Sequence, residues 1–105
     1  GVLWVPGNHH SPAMQRATGQ SDDIANARAY LVEETGNYIE PDRVEAYLDT
    51  APRMVDFFRR HTALQFIDGN AVPDFHGHQP HAATGGRSVC AAPLDSAPCY
   101  FRLAL

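Results

Sequence analysis

Lysine is absent from this chain: all eight basic residues among its 105 are arginines. Coding bias accounts for that before function does. Arginine forks suit carboxylates and phosphates, but composition by itself assigns no such partner. Twelve acidic residues bring the formal net charge to −4, which excludes a non-specific nucleic-acid binder. No apolar run approaches the length needed to cross a membrane. The start at Gly1-Val2-Leu3-Trp4-Val5-Pro6 has no basic leader followed by a long apolar stretch, so it does not read as a signal peptide. It also lacks an initiator methionine and reads as the middle of a longer chain. Only two cysteines are present, Cys90 and Cys99, too few for a disulfide framework. A bridge across that short loop is possible, but two free thiols in a cytoplasmic protein is the reading preferred. A thiol active site would need a neighbouring base and a lowered pKa, and the local sequence shows neither. The patterns G-x-S-x-G, G-x-G-x-x-G and C-x-x-C are all missing, so a motif of those kinds lies elsewhere or nowhere.

What is present is ordinary globular material, 44% hydrophobic and 19% charged, enough for one domain and not two. Val2 to Val5 form a short apolar run stopped by Pro6-Gly7-Asn8, which suits a short buried strand or an extended segment entering a turn. His9 to Gln20 reads as loop. Ser21 is a good N-cap, Asp22 and Asp23 suit the first turn, and Ile24, Ala27, Arg28 and Leu31 keep helical spacing up to the stop at Gly36. A helix is expected at about residues 22–35. Pro41 suits a first helical turn, and Pro52 demands a kink or restart, so two helices are expected, about 41–50 and 52–60. Leu64 to Ile67 is a strand candidate ended by Asp68-Gly69-Asn70. Residues 71 to 99 carry many prolines, glycines and histidines, little periodicity and few apolar anchors. The expected core is Trp4, Leu31, Tyr47, Leu48, Met54, Phe57 and Phe58. The fold class is therefore mainly α with short β strands. The chain divides into residues 1–20, strand and loop; 21–62, helical; and 63–105, strand and long loop.

Three clusters bear on chemistry. His76, His78 and His81 form H-x-H-x-x-H in a loop, where imidazoles can surround zinc, copper or nickel; solvated loop histidines are the plainer reading. His9-His10 is a weaker case. Asp22-Asp23 and Glu33-Glu34 are sequence neighbours that point apart on a helix and read as solvated faces. Gly85-Gly86-Arg87-Ser88 suits either an anion-binding turn assisted by Arg87 or a plain turn.

Gly1-Val2-Leu3-Trp4-Val5-Pro6-Gly7-Asn8 resembles the Gly-Gly-x-x-Trp-x-Pro-x-Asn segment of flavoproteins related to the fumarate reductase and succinate dehydrogenase flavoprotein subunit. It is especially similar to the 3-ketosteroid Δ1-dehydrogenase branch. Later features follow the same order. Gly19, Asp22 and Asp23 precede a helix carrying Tyr30-Leu31, and Arg-x-x-Ala-Tyr-Leu-x-x-Ala-Pro-x-Met-Val-x-Phe spans Arg43 to Phe57. Pro73-Asp74-Phe75-His76, Gly85 to Ser88, and Pro93 to Asp95 complete the series.

The resemblance implies an internal piece of a two-domain enzyme, with a Rossmann-like α/β FAD domain and an α+β catalytic domain closing over the flavin. It implies hydride transfer from a small hydrophobic ketone, such as a 3-ketosteroid, to FAD. By the same likeness Gly1, Val2, Leu3 and Trp4 lie at the cofactor, and Phe75 and His76 help form the substrate pocket. It assigns no catalytic base. The branch typically has a tyrosine where Phe75 stands, and phenylalanine has no hydroxyl to relay a proton. The Gly-rich dinucleotide turn that belongs upstream and the downstream residues that would supply the base are missing, and the tail from Cys99 departs from the pattern. The isolated chain is therefore expected to be inactive and to hold FAD weakly or not at all. Two rival readings remain: a stand-alone helical protein-binding module, and a His-loop metal-binding domain stabilised by zinc or nickel at neutral pH.

Overall fold

A computed structural model of the chain describes residues 1–18, 23–68 and 72–93. In order, the elements are strand β1 (Val2–Trp4), helix α1 (Ser11–Thr18), helix α2 (Ile24–Thr35), a 3-10 turn (Gly36–Tyr38), helix α3 (Pro41–His61), β2 (Phe66–Asp68) and β3 (Ser88–Ala91). The three strands form an antiparallel sheet in the order β1-β3-β2.

The turn after β1 is built by Asn8, which is almost fully buried. Its side-chain amide donates to the carbonyls of Val5 (2.8 Å) and Gly86 (3.1 Å), and its Oδ1 accepts the His10 N–H at 2.9 Å. Its own carbonyl then receives the Ser11 N–H at 3.0 Å. The chain is thereby turned into a helix where a loop was expected. Pro12 does not oppose α1, because the first helical turn leaves its N–H positions without intrahelical partners anyway.

Helix α2 begins at Ile24 and is capped by Asp23, whose Oδ1 accepts the Asn26 N–H at 2.9 Å. The expected Ser21 cap and Asp22 lie outside the described residues, as do Gly69, Asn70, Leu94, Asp95 and the tail with Cys99. Arg28 of α2 forks onto the Glu45 carboxylate of α3.

Helix α3 runs unbroken from Pro41 to His61 with Pro52 inside it, correcting the expectation of two helices. An interior proline costs about 3 kcal/mol. Leu48, Ala51 and Val55 are buried at helical spacing on both sides of it. Leu48 and Val55 each return roughly 1.5–3 kcal/mol on burial, so the continuous stripe outweighs the lost hydrogen bond.

The core consists of Val5, Ala51, Val55, Phe66 and Val89, with Met54 packed against it. The expected core was partly wrong. Phe57 is 56% exposed because the buried stripe of α3 faces the other way, and Tyr47, at the edge of that stripe, is 44% exposed. Strand β3 was not foreseen at all. Its Val89 is fully buried, so the supposedly anchorless stretch supplies the central strand. Among the described residues no helix is long and apolar enough to cross a membrane.

Candidate active site

Strand alternation decides which residues face the site. Val2 pairs with Cys90 and Trp4 with Ser88, placing these four side chains on one face of the sheet. Leu3 pairs with Val89 and belongs to the opposite, core-side face. A cavity of about 390 Å³ opens on the first face, walled by Val2, Trp4 and Ser88, by Tyr30, Leu31 and Glu34 of α2, and by the segment Val72 to Phe75. Of the residues marked in the sequence, Val2, Trp4 and Phe75 meet at this cavity; Gly1, Leu3 and His76 do not line it.

Trp4 is held on several sides. Its ring lies near-parallel to Tyr47 with centroids 6.4 Å apart, and tilted against Tyr30 at 5.9 Å. The Tyr47 hydroxyl donates to the Trp4 carbonyl oxygen, and desolvation raises the Tyr47 pKa. The Trp4 indole N–H donates to Asp74 Oδ1 at 2.7 Å. Asp74 is itself buried, and its other oxygen accepts from Arg87 Nη1 at 2.6 Å and from the Ala83 N–H at 2.9 Å. The Arg87 guanidinium also lies 5.9 Å from the Tyr30 ring centroid. Of the two readings of Gly85 to Ser88, the anion-binding turn assisted by Arg87 is not the one formed: Arg87 is buried against an internal carboxylate. The Asp74–Arg87 pair was not foreseen. The only signal available was the want of apolar anchors in residues 71–99, which leaves polar links to hold that stretch.

Phe75 is 96% exposed at the rim, while His76 folds back onto α2. Its Nδ1 meets Glu34 Oε2 at 2.5 Å, and its backbone N–H lies 3.4 Å from the Tyr30 hydroxyl. Glu34 is thus a tether and not the solvated face expected of it; its Oε1 is buried without a hydrogen-bond partner among the described residues. His81 meets Asn26 at 3.2 Å. Among the described residues no three His, Cys, Asp or Glu side chains converge as metal ligands. Among the described residues Cys90 has no disulfide partner.

An FAD-binding domain family model matches residues 1–99. The chain belongs to this family. FAD is accordingly its cofactor, and the structure allows a test of fit. The aromatic and apolar walls at Val2, Trp4 and Tyr30 suit a flat ring system. The described sheet is wholly antiparallel, without the parallel βαβ turn that holds a dinucleotide pyrophosphate. The residues described therefore fit the ring end of FAD and not its phosphates.

The chain is 32% identical over 96 residues to a 3-oxosteroid 1-dehydrogenase of Mycobacterium tuberculosis (strain ATCC 25618 / H37Rv), covering 91% of this chain and 16% of that protein. It is 31% identical over 96 residues to a 4-oxocyclohex-2-ene-1-carboxylate 5-dehydrogenase of Sinomonas cyclohexanicum, covering 91% and 15% respectively. Its fold matches the crystal structure of 3-ketosteroid Δ1-dehydrogenase from Sterolibacterium denitrificans in complex with 1,4-androstadiene-3,17-dione. That match has a TM-score of 0.82 at 32% identity, over 99% of this chain and 17% of the other. The chain thus spans about one sixth of the length of these relatives.

Proposed function

We propose that this chain forms the flavin-facing wall and part of the substrate pocket of an FAD-dependent dehydrogenase acting on CH–CH groups of a small hydrophobic ketone such as a 3-ketosteroid. The observation that carries the reading is the shared cavity: Val2 and Trp4 from the cofactor segment and Phe75 from the substrate segment line the same space. The relatives named above, steroid dehydrogenases and a cyclohexenone-carboxylate dehydrogenase, support a ring ketone as substrate.

When bound, FAD supplies the acceptor for a hydride leaving the substrate carbon. This chain supplies position and dryness. Trp4 and Tyr30 offer flat apolar walls, Gly1 and Val2 give close backbone approach, and Phe75 presents an exposed ring to an apolar ligand. Phe75 has no hydroxyl and moves no proton, so the base belongs to another group. His76 borders the substrate side through its tether to Glu34. In this reading residues 1–20 are the flavin-proximal part, 21–62 the scaffold and 63–105 the substrate-side part, and a second domain closes over the pocket. The enzyme works in the cytoplasm, and the isolated chain is inactive because FAD needs phosphate contacts from elsewhere.

The test is to desalt the full-length protein carrying this chain after FAD incubation and mix it anaerobically with a 3-ketosteroid. Bleaching of a retained flavin band is expected. A retained flavin that no 3-ketosteroid bleaches would rule out the substrate class. The isolated chain should retain no flavin; near-stoichiometric retention would contradict its assignment as an incomplete site.

A further inference from the structure

Trp4 to Asp74, Asp74 to Arg87 and Arg87 to Val5 make a closed circuit. The indole N–H is fixed at 2.7 Å on Asp74 Oδ1, and Arg87 holds Oδ2 at 2.6 Å. The Arg87 backbone carbonyl in turn accepts the N–H of Val5, the residue after Trp4, at 2.6 Å. The ring of Trp4 and its backbone are thus both referred to Arg87. Asp74 cannot drift, because the Ala83 N–H donates to its side chain at 2.9 Å and its own N–H donates to the Ala83 carbonyl at 3.0 Å. The carboxylate makes the indole bond charge-assisted and stronger than a neutral one. Phe75 follows Asp74 directly, so the same residue fixes the root of the substrate segment.

We propose that Asp74 is a positioning residue: it sets the angle and depth of the Trp4 ring in the cavity and locks that ring to the substrate segment, so that cofactor and substrate walls keep one relative geometry. The inference rests on the FAD reading given above. A fold-holding role alone would make Asp74 matter to stability and not to flavin chemistry. A positioning role makes its effect pass through Trp4. Small misplacements at a reacting pair cost about ten- to a hundredfold in rate.

The experiment uses the FAD-loaded, full-length protein carrying this chain, with Asp74→Asn, Trp4→Phe and the double variant. Flavin retention, the visible flavin absorption envelope, substrate affinity and the single-turnover rate of flavin reduction by a 3-ketosteroid are measured. Each single variant should keep its flavin, shift the envelope and slow reduction about tenfold or more, with substrate affinity within about threefold. The double variant should be no slower than the slower single. Multiplied losses in the double variant, or single variants with unchanged envelope and rate, would overturn the proposal. Should Asp74→Asn not fold, Trp4→Phe decides alone, since it leaves the Asp74–Arg87 pair whole; an unchanged envelope and rate there overturns the proposal. A wild-type protein that retains no flavin overturns the FAD reading and this inference together. A wild-type protein that retains flavin while the variants are spectrally silent overturns only the inference.

Discussion

The indole N–H of Trp4 donates to the carboxylate of Asp74 at 2.7 Å, across 70 residues of chain. That contact joins the end of β1 to the segment that precedes β3. Its stability depends on Arg87, because a buried carboxylate without a counter-charge is expensive.

Replacing Arg87 with methionine should therefore be severe. Both side chains of the pair are only 2% exposed, and Arg87→Met leaves Asp74 charged and uncompensated. A loss of about 3–5 kcal/mol is expected. Urea denaturation of the chain and its variant measures it, and a loss below about 1 kcal/mol would mean that the pair is solvated in solution.

Val55 and Phe57 should respond in the reverse of their size order. Val55 is fully buried, and Val55→Ala should cost about 2 kcal/mol from two lost methyl groups and the space left. Phe57 is 56% exposed, so Phe57→Ala should cost less than about 1 kcal/mol. The same denaturation series compares them; a larger loss at Phe57 would put the buried stripe of α3 on the wrong side.

Gly7 holds φ at +76°, and a Cβ there would lie 3.2 Å from Ile24 Cδ1. Gly7→Ala should therefore destabilise by roughly 1–2 kcal/mol, from the left-handed backbone alone. Thermal denaturation tests this, and an unchanged midpoint would mean that the turn relaxes to another conformation.

His9 gives a pH dependence. Desolvation first, then the charges of His10 and Arg59, lower its pKa below the ordinary 6.5. Above that value it is neutral whether folded or unfolded and costs nothing. As pH falls below it, the unfolded chain takes up the proton before the folded one does, so stability is lost until the folded pKa is passed. Denaturation midpoints at about pH 7.5 and about pH 5.5 should differ less in His9→Gln than in the parent chain. Equal pH dependence in the two would show that other groups carry it.

Helical spacing made α2 and most of α3 legible, because Ile24, Ala27 and Leu31, and later Leu48 and Val55, repeat at helical intervals. The segment around Trp4 and the order of motifs after it carried the likeness to flavin enzymes. The cavity was only half legible: Val2, Trp4 and Phe75 were marked, while Tyr30 was noted only as part of a helix motif and Glu34 was read as a solvated face.

The sequence by itself determined where α2 forms and, through the likeness of its ordered motifs to flavin enzymes, that FAD is the cofactor, because periodicity and short motifs are local. Only the tertiary structure decided the rest. Pro52 stays inside one helix because the buried stripe on either side outweighs its missing bond. Residues 88–91 become the central strand because β1 and β2 offer their edges to it from distant parts of the chain. Arg87 turns inward because Asp74, 13 residues earlier, is already buried there and needs a counter-charge. Each of these follows from a balance between groups far apart in the chain, and local sequence carries no record of such a balance.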